Sequence, residues 1–249
     1  MITRRPALLM ALAGLALAAP VSAQFLPGTS PLDLSVQSRA LTSSVINRNS
    51  LRAAEQRRST PGRPTPGRRQ PTRGADEALS DARFPFQANP ALRQQVLKEF
   101  VARASRHSPE AAKAVAAEIG RPSFEQSYAT AVRSHGLSPN DAADVMAVYL
   151  ITGWEIVNGT DSNDTALRAV RRQVAGQMAG SAAMRDPTAR ARFAEELKII
   201  TLLFGSSVEN ARREGNRAQF AAGVAAHYRQ ALGRDLRAMR LTAQGFSGG

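Results

Sequence analysis

The chain has 249 residues and no cysteine. Disulfide bonds, cysteine nucleophiles and cysteine-ligated metal sites are therefore excluded. Aromatic residues make up only 5%, with a single tryptophan, while hydrophobic residues reach 43% and alanine is abundant. This composition favours packed helices over β-sandwiches.

Motifs for common catalytic chemistries are scarce. There are three histidines, and none has a second histidine three or four residues away, so a zinc-protease helix is excluded. No P-loop or GxGxxG motif is present. We therefore expect no cofactor and no metal, and a non-enzymatic protein is favoured over an enzyme of unrecognised type.

Only one long apolar run occurs, and it lies at the N-terminus. Arg4 and Arg5 precede residues 7–19, ALLMALAGLALAA, and small residues follow at Val21 and Ala23. This order is typical of a secretory signal peptide over residues 1–23, cleaved after Ala23, and the run is too short to span a membrane. We predict a periplasmic or secreted protein without a transmembrane segment in its mature form; the export route stays open.

Positive charge is concentrated in one segment. The net charge is +13, and residues 39–73 contain nine arginines against one acid, Glu55. TPGR occurs twice within residues 60–74, TPGRPTPGRRQPTRG, and a stretch of this composition cannot form a hydrophobic core. Residues 24–82 are therefore predicted to be a disordered, basic low-complexity segment.

This segment is either a solvated tether or a contact for polyanions such as anionic lipid or envelope glycopolymer. Nucleic acid is disfavoured as a partner because no aromatic residues are interleaved for base stacking. The candidate polyanion contacts are Arg57, Arg58, Arg63, Arg68, Arg69 and Arg73.

Helical periodicity and capping signals dominate from residue 83 onward. Several helix starts are marked by a capping residue followed by proline, and Gly120, Gly136, Gly159 and Gly233 mark helix ends. The pattern predicts an all-α domain over residues 83–249, a single bundle of about seven helices. The predicted starts are Asn89-Pro90, Ser108-Pro109, Ser123, Ser138-Pro139, Asp161 to Asp164, Asp186-Pro187 and Asn216.

The fourth predicted helix contains VYLITGWEIVNG, residues 148–159. Apolar residues cover most of its circumference, which indicates a central, buried helix. Gly153 is expected to admit a neighbouring helix, and Trp154 to supply the largest buried side chain. Asp141 is interpreted as the acid of a capping box begun by Ser138.

A narrow acidic stripe on this helix includes Asp144 and Glu155. These two carboxylates are roughly 16 Å apart along a helix axis, too far for a glycosidase pair, which needs about 5–9.5 Å. Arg168, Arg171 and Arg172 share one face of the next helix and could meet the stripe. Three interpretations stay open: internal ion pairs, a solvated basic face, or an anion site.

Three segments together suggest a family: FPFQANPALRQQVLKEFV (84–101), GLSPNDAADVMAVYLITGWEIVNG (136–159) and LTAQGF near the C-terminus. The chain resembles an uncharacterised family of secreted bacterial proteins, a domain of unknown function, over about residues 84–246. The resemblance implies an exported helical domain and supplies no activity, cofactor or catalytic residue.

The sequence therefore favours an exported, non-enzymatic module associated with the cell envelope. Its partner would be an unknown protein or an anionic envelope component. The alternatives are an enzyme with a site around Asp144, Glu155 and Arg171, or a helical bundle that binds a small molecule.

Overall fold

The computed structural model describes residues 81–106, 108–121 and 123–248. The predicted signal peptide, residues 24–80 of the predicted disordered segment (24–82) and all six candidate polyanion contacts lie outside these ranges. The proposed division of the chain at residues 23 and 82 stays a prediction.

Helices dominate the described part of the chain, which confirms the predicted all-α class. We number seven α-helices in chain order, with one short 3-10 helix, Ala182–Met184, between the fifth and the sixth. The helices are α1 Pro90–Ser105, α2 Pro109–Ile119, α3 Ser123–Ser134, α4 Ala142–Asn158, α5 Asp164–Met178, α6 Pro187–Arg213 and α7 Arg217–Leu232.

Most helix starts follow the capping signals, although the side chain of Asn216 makes no cap hydrogen bond at the start of α7. The side chains of Asn89, Asn163 and Asp186 each accept a hydrogen bond from a backbone N–H of the helix that follows. The capping box predicted at Ser138 is wrong: α4 begins at Ala142, and Asp141 is itself the N-cap, accepting from the N–H groups of Ala143 and Asp144. A carboxylate can serve at either position of a capping motif, so the sequence did not distinguish them.

The C-terminal tail, for which no strand was expected, forms a small hairpin. Strands β1 (Arg240–Thr242) and β2 (Gly245–Ser247) pair antiparallel, with Leu241 opposite Phe246. Gln173 of α5 fastens the hairpin by donating to the carbonyl of Phe246 and accepting from its N–H, both at 3.0 Å.

Helix α4 lies at the centre and packs against α5, α6 and α7. Fourteen of its residues are buried, including every position from Ala142 to Gly153. Trp154 is only half-buried, contrary to expectation, because its indole N–H reaches the edge of the bundle and donates to the Met239 carbonyl at 2.9 Å. The largest fully buried side chains are Tyr128, Tyr149 and Tyr228.

At Gly153, a side chain of α7 lies directly against the backbone of α4. A Cβ atom built there would lie 2.2 Å from ring atoms of Tyr228. Tyr228 stacks on Tyr149, with ring centroids 4.7 Å apart, and donates its hydroxyl to the Tyr149 carbonyl. The missing side chain therefore lets an aromatic ring lie directly against the α4 backbone.

The residues that precede α1 form a short N-terminal strap, residues 82–86. Phe84 and Phe86 are buried, and the strap runs alongside the start of α4. The Phe84 N–H donates to Asp141 Oδ2 at 2.8 Å, and the Ala142 N–H donates to the Phe84 carbonyl at 2.9 Å. The strap is thus part of the folded domain.

Arg171 of α5 joins this strap to α4. Its Nε donates to Asp144 Oδ1 at 2.8 Å, and its Nη2 donates to the Ala82 carbonyl at 2.8 Å. Asp144 is fully buried and also accepts from the Ser138 N–H at 2.7 Å. Removal of the arginine would leave a buried carboxylate without its main counter-charge.

We expect Gly153→Ala to lower the free energy of unfolding by about 1–3 kcal/mol, because the added methyl group collides with Tyr228. Gly176→Ala in α5 is the matched control, since no heavy atom lies within 4 Å of the position that its methyl group would take. That control should be neutral or stabilising by up to about 1 kcal/mol. Urea denaturation of both variants makes the comparison, and equal effects would contradict the close approach.

We expect Arg171→Met to cost about 3–5 kcal/mol of unfolding free energy, the usual effect of breaking a buried ion pair. Arg168→Met and Arg172→Met change exposed arginines of the same helix and should each stay within about 0.5 kcal/mol of the parent. Chemical denaturation measures all three. If Arg171→Met lowers the free energy of unfolding no more than Arg168→Met or Arg172→Met does, the buried ion pair does not hold the strap.

Candidate functional site

The polar cluster expected from the sequence is only partly assembled. Asp144 and Arg171 meet, whereas Arg168 and Arg172 are exposed on α5. Glu155 is buried near the other end of α4, where its Oε1 accepts from the Ser162 N–H at 2.8 Å. Asp144 and Glu155 therefore make separate contacts near the two ends of α4.

Metal-binding clusters and membrane-spanning helices are not found among the described residues. No group of three or more histidine, aspartate or glutamate side chains in this part of the chain could hold a metal ion. No helix found there is long and apolar enough to cross a membrane. GFSGG (245–249) has the GxSxG spacing, but Ser247 lies on hairpin strand β2 and not at a strand-to-helix turn.

A cavity of about 630 Å³ lies between α1, α2, α3 and α6. Its wall is mostly apolar, while polar and charged side chains occupy its rim and one region of its inner wall. None of the five residues of the predicted polar cluster lines it. The apolar lining includes Leu97, Val101, Ile119, Phe124, Ile199 and Leu202.

Lys198 and Glu195 of α6 form the buried polar part of the wall. Lys198 is 5% exposed, and its Nζ donates to Glu195 Oε1 at 2.9 Å. The other carboxylate oxygen of Glu195 accepts from Arg93 Nε at 3.1 Å. The guanidinium of Arg93 also donates to the exposed Glu125 carboxylate. One carboxylate, Glu195, is therefore shared by two cations.

Burial lowers the pKa of the Lys198 ammonium below its ordinary value, because the charged form is poorly solvated. Glu195 opposes this shift, by its charge and by its hydrogen bond, and Arg93 adds to it. The Nζ atom also lies 4.8 Å from the ring centroid of Phe86, which belongs to the strap. The lysine is thus held between the cavity and the N-terminal strap.

Tyr128 contributes its ring to the same wall. Its hydroxyl is buried and has no hydrogen-bond partner among the described residues. Burial raises the pKa of Tyr128, and the charges of Glu195 and Asp144 raise it further, so the phenol stays neutral. Lys198 Nζ lies 5.9 Å from the centroid of this ring.

The sequence contains a signal for this site that catalytic motifs do not capture. Lys198 lies in EELKIITLLF (195–204), where it is the only charge after the two glutamates. The whole chain has three lysines, Lys98, Lys113 and Lys198, against thirty arginines. A lone lysine inside an apolar helical run indicates a buried amine, but only the fold shows that it borders a cavity.

The arrangement suits a small molecule with an apolar body and one polar group. Ligand pockets usually measure about 300–1,000 Å³ and combine apolar walls with few polar groups. A perturbed pKa within such a cavity is a further mark of a functional position.

Comparison with known proteins gives one match. No curated protein and no solved structure matches the chain. A family model described as a family of unknown function, DUF6683, matches residues 2–247, a range that includes the predicted leader and the basic segment as well as the helices. The expectation of an uncharacterised family is confirmed, while secretion and bacterial origin stay predictions. The chain belongs to this family of unknown function, DUF6683.

Proposed function

We propose that this protein is exported and that its helical domain binds a small, largely apolar molecule in the cavity between α1, α2, α3 and α6. The observation that carries the proposal is an apolar cavity of about 630 Å³ with a buried lysine–carboxylate pair in its wall. Of the functions considered from the sequence, the small-molecule-binding bundle fits this geometry best.

The cavity walls support binding in two ways. Apolar side chains from four helices would surround the ligand, and each square ångström of apolar surface removed from water contributes about 25 cal/mol. Ion pairs to Glu195 position Arg93 and Lys198 before a ligand arrives, which limits the side-chain entropy lost on binding.

An uncharged fluorescent probe such as N-phenylnaphthylamine is expected to bind the mature protein saturably. Leu97→Trp should weaken this binding by at least about tenfold, because the indole fills the cavity. Leu92→Trp is the matched control, a half-buried leucine of the same helix that does not line the cavity. Fluorescence titration makes the measurement, and thermal unfolding verifies that both variants fold.

Equal probe binding by the two variants would place the probe elsewhere and count against the cavity. No saturable binding by the parent protein would contradict the proposed function directly.

Attachment to the cell envelope is a second candidate function, supported by the nine arginines of residues 39–73. In this proposal the leader directs export, cleavage after Ala23 leaves Gln24 first, and the basic segment holds the helical domain near anionic surfaces. Such attraction is electrostatic and weakens as salt screens it.

We expect the mature protein to co-sediment with isolated cell envelopes at low salt and to be released at high salt. A variant with glutamine at Arg57, Arg58, Arg63, Arg68, Arg69 and Arg73 should remain in the supernatant under both conditions. If this variant stays on the membranes, or if the parent protein stays bound at high salt, the surface of the helical domain and not the basic segment makes the attachment. Cavity binding does not depend on this outcome.

A further inference from the structure

We propose that Lys198 captures an apolar aldehyde or ketone in the cavity as a reversible imine, an inference that rests on the proposed ligand-binding function. The ligand class is thereby narrowed to molecules with a hydrophobic body and an accessible carbonyl group. Three features of Lys198 support this proposal: its position beside the cavity, the charges around its amine and its contact with Glu195.

The first observation is the use of lysine at this position. Arginine supplies buried ion pairs elsewhere in the described residues, such as those of Arg171 with Asp144 and Arg103 with Glu196. Arginine remains charged at all accessible pH values, whereas a buried lysine can lose its proton and become a nucleophilic amine. In a chain that uses arginine ten times as often as lysine, the cavity contains the residue type that can react.

The second observation is the charge balance around the amine. Glu195 contacts both Lys198 and Arg93, so it keeps a cationic partner when Lys198 is neutral. Burial and Arg93 favour the neutral amine, while Glu195 and the more distant Glu125 favour the ammonium. Tyr128 stays neutral, and Phe86 carries no charge. The pKa of Lys198 is lowered as the net result, which enlarges the reactive fraction at a given pH.

The third observation is the position of the carboxylate. Glu195 Oε1 lies 2.9 Å from Lys198 Nζ, within reach for proton exchange. Imine formation needs such a group twice, once to accept a proton from nitrogen and once to return a proton to the departing oxygen.

The proposed reaction balances without an additional reagent. The Lys198 nitrogen lone pair attacks the carbonyl carbon and forms a C–N bond, while the C=O π electrons move to oxygen. Glu195 carries one nitrogen proton to this oxygen, which becomes a hydroxyl group, and then carries the second nitrogen proton to the same group. That group leaves as water when the C–O bond breaks and the C=N bond forms. Addition of water reverses every step and releases the carbonyl compound.

The test is reductive trapping of an apolar aldehyde on the mature protein. Decanal and cyanoborohydride are added at neutral pH, and peptide mass mapping quantifies the adduct at each of the three lysines. Lys198 is expected to be labelled at least about tenfold more than the exposed Lys113, which does not line the cavity, because the cavity concentrates the aldehyde beside Lys198. Labelling of Lys198 should also reach half its maximum at a lower pH than labelling of the other two.

Two variants complete the test. Leu97→Trp should reduce labelling of Lys198 without changing labelling of Lys113, whereas Lys113→Arg should leave labelling of Lys198 unchanged. If either variant fails to fold, the comparison of Lys198 with Lys113 in the parent protein still tests the proposal.

Equal labelling of the three lysines, or none at Lys198, would overturn the imine proposal. If the fluorescent probe still binds in that case, the cavity remains a ligand site and only the carbonyl chemistry fails. If the probe does not bind and Lys198 is not labelled, both proposals fail.

Discussion

The structure depends on the near-complete burial of α4. A helix surrounded by other helices must satisfy its carboxylates inside the protein, since unpaired buried charge is costly. Asp141 accepts from the first turn of α4 and from Phe84, Asp144 pairs with Arg171, and Glu155 accepts from Ser162. Each of these contacts fixes a neighbour: the strap, α5, or the loop that leads into α5.

A buried carboxylate also has cationic partners at the cavity, but its surroundings there differ from those of Asp144. The Asp144 carboxylate accepts hydrogen bonds from Arg171 and from the Ser138 backbone N–H. Around Glu195, two cations share one carboxylate and the cluster borders open space. The first arrangement holds elements together, whereas the second leaves a polar group able to meet a ligand. Phe86 of the strap lies against Lys198, so the strap contributes to both regions.

Much of the fold could be predicted from local signals, because helix caps and glycine ends act over a few residues. Asn89, Asp186 and Gly233 mark helix boundaries as expected. Asp141 was assigned the wrong role in its cap, and Trp154 was expected to be more buried than it is. The site was the least predictable part. Arg93 lies about a hundred residues before Glu195 and Lys198, and no periodicity links it to them, whereas Glu195 and Lys198 are three residues apart on one helix.

Short stretches of the chain were enough to specify the helical class and most helix boundaries, because composition and capping are local properties. Which charges meet was settled by the packing of the helices. Packing paired Arg171, and not Arg168 or Arg172, with Asp144. It also brought Arg93 to Glu195 and placed a cavity beside Lys198. These outcomes could not be seen in the sequence, because helix packing brings together residues that are distant in the chain.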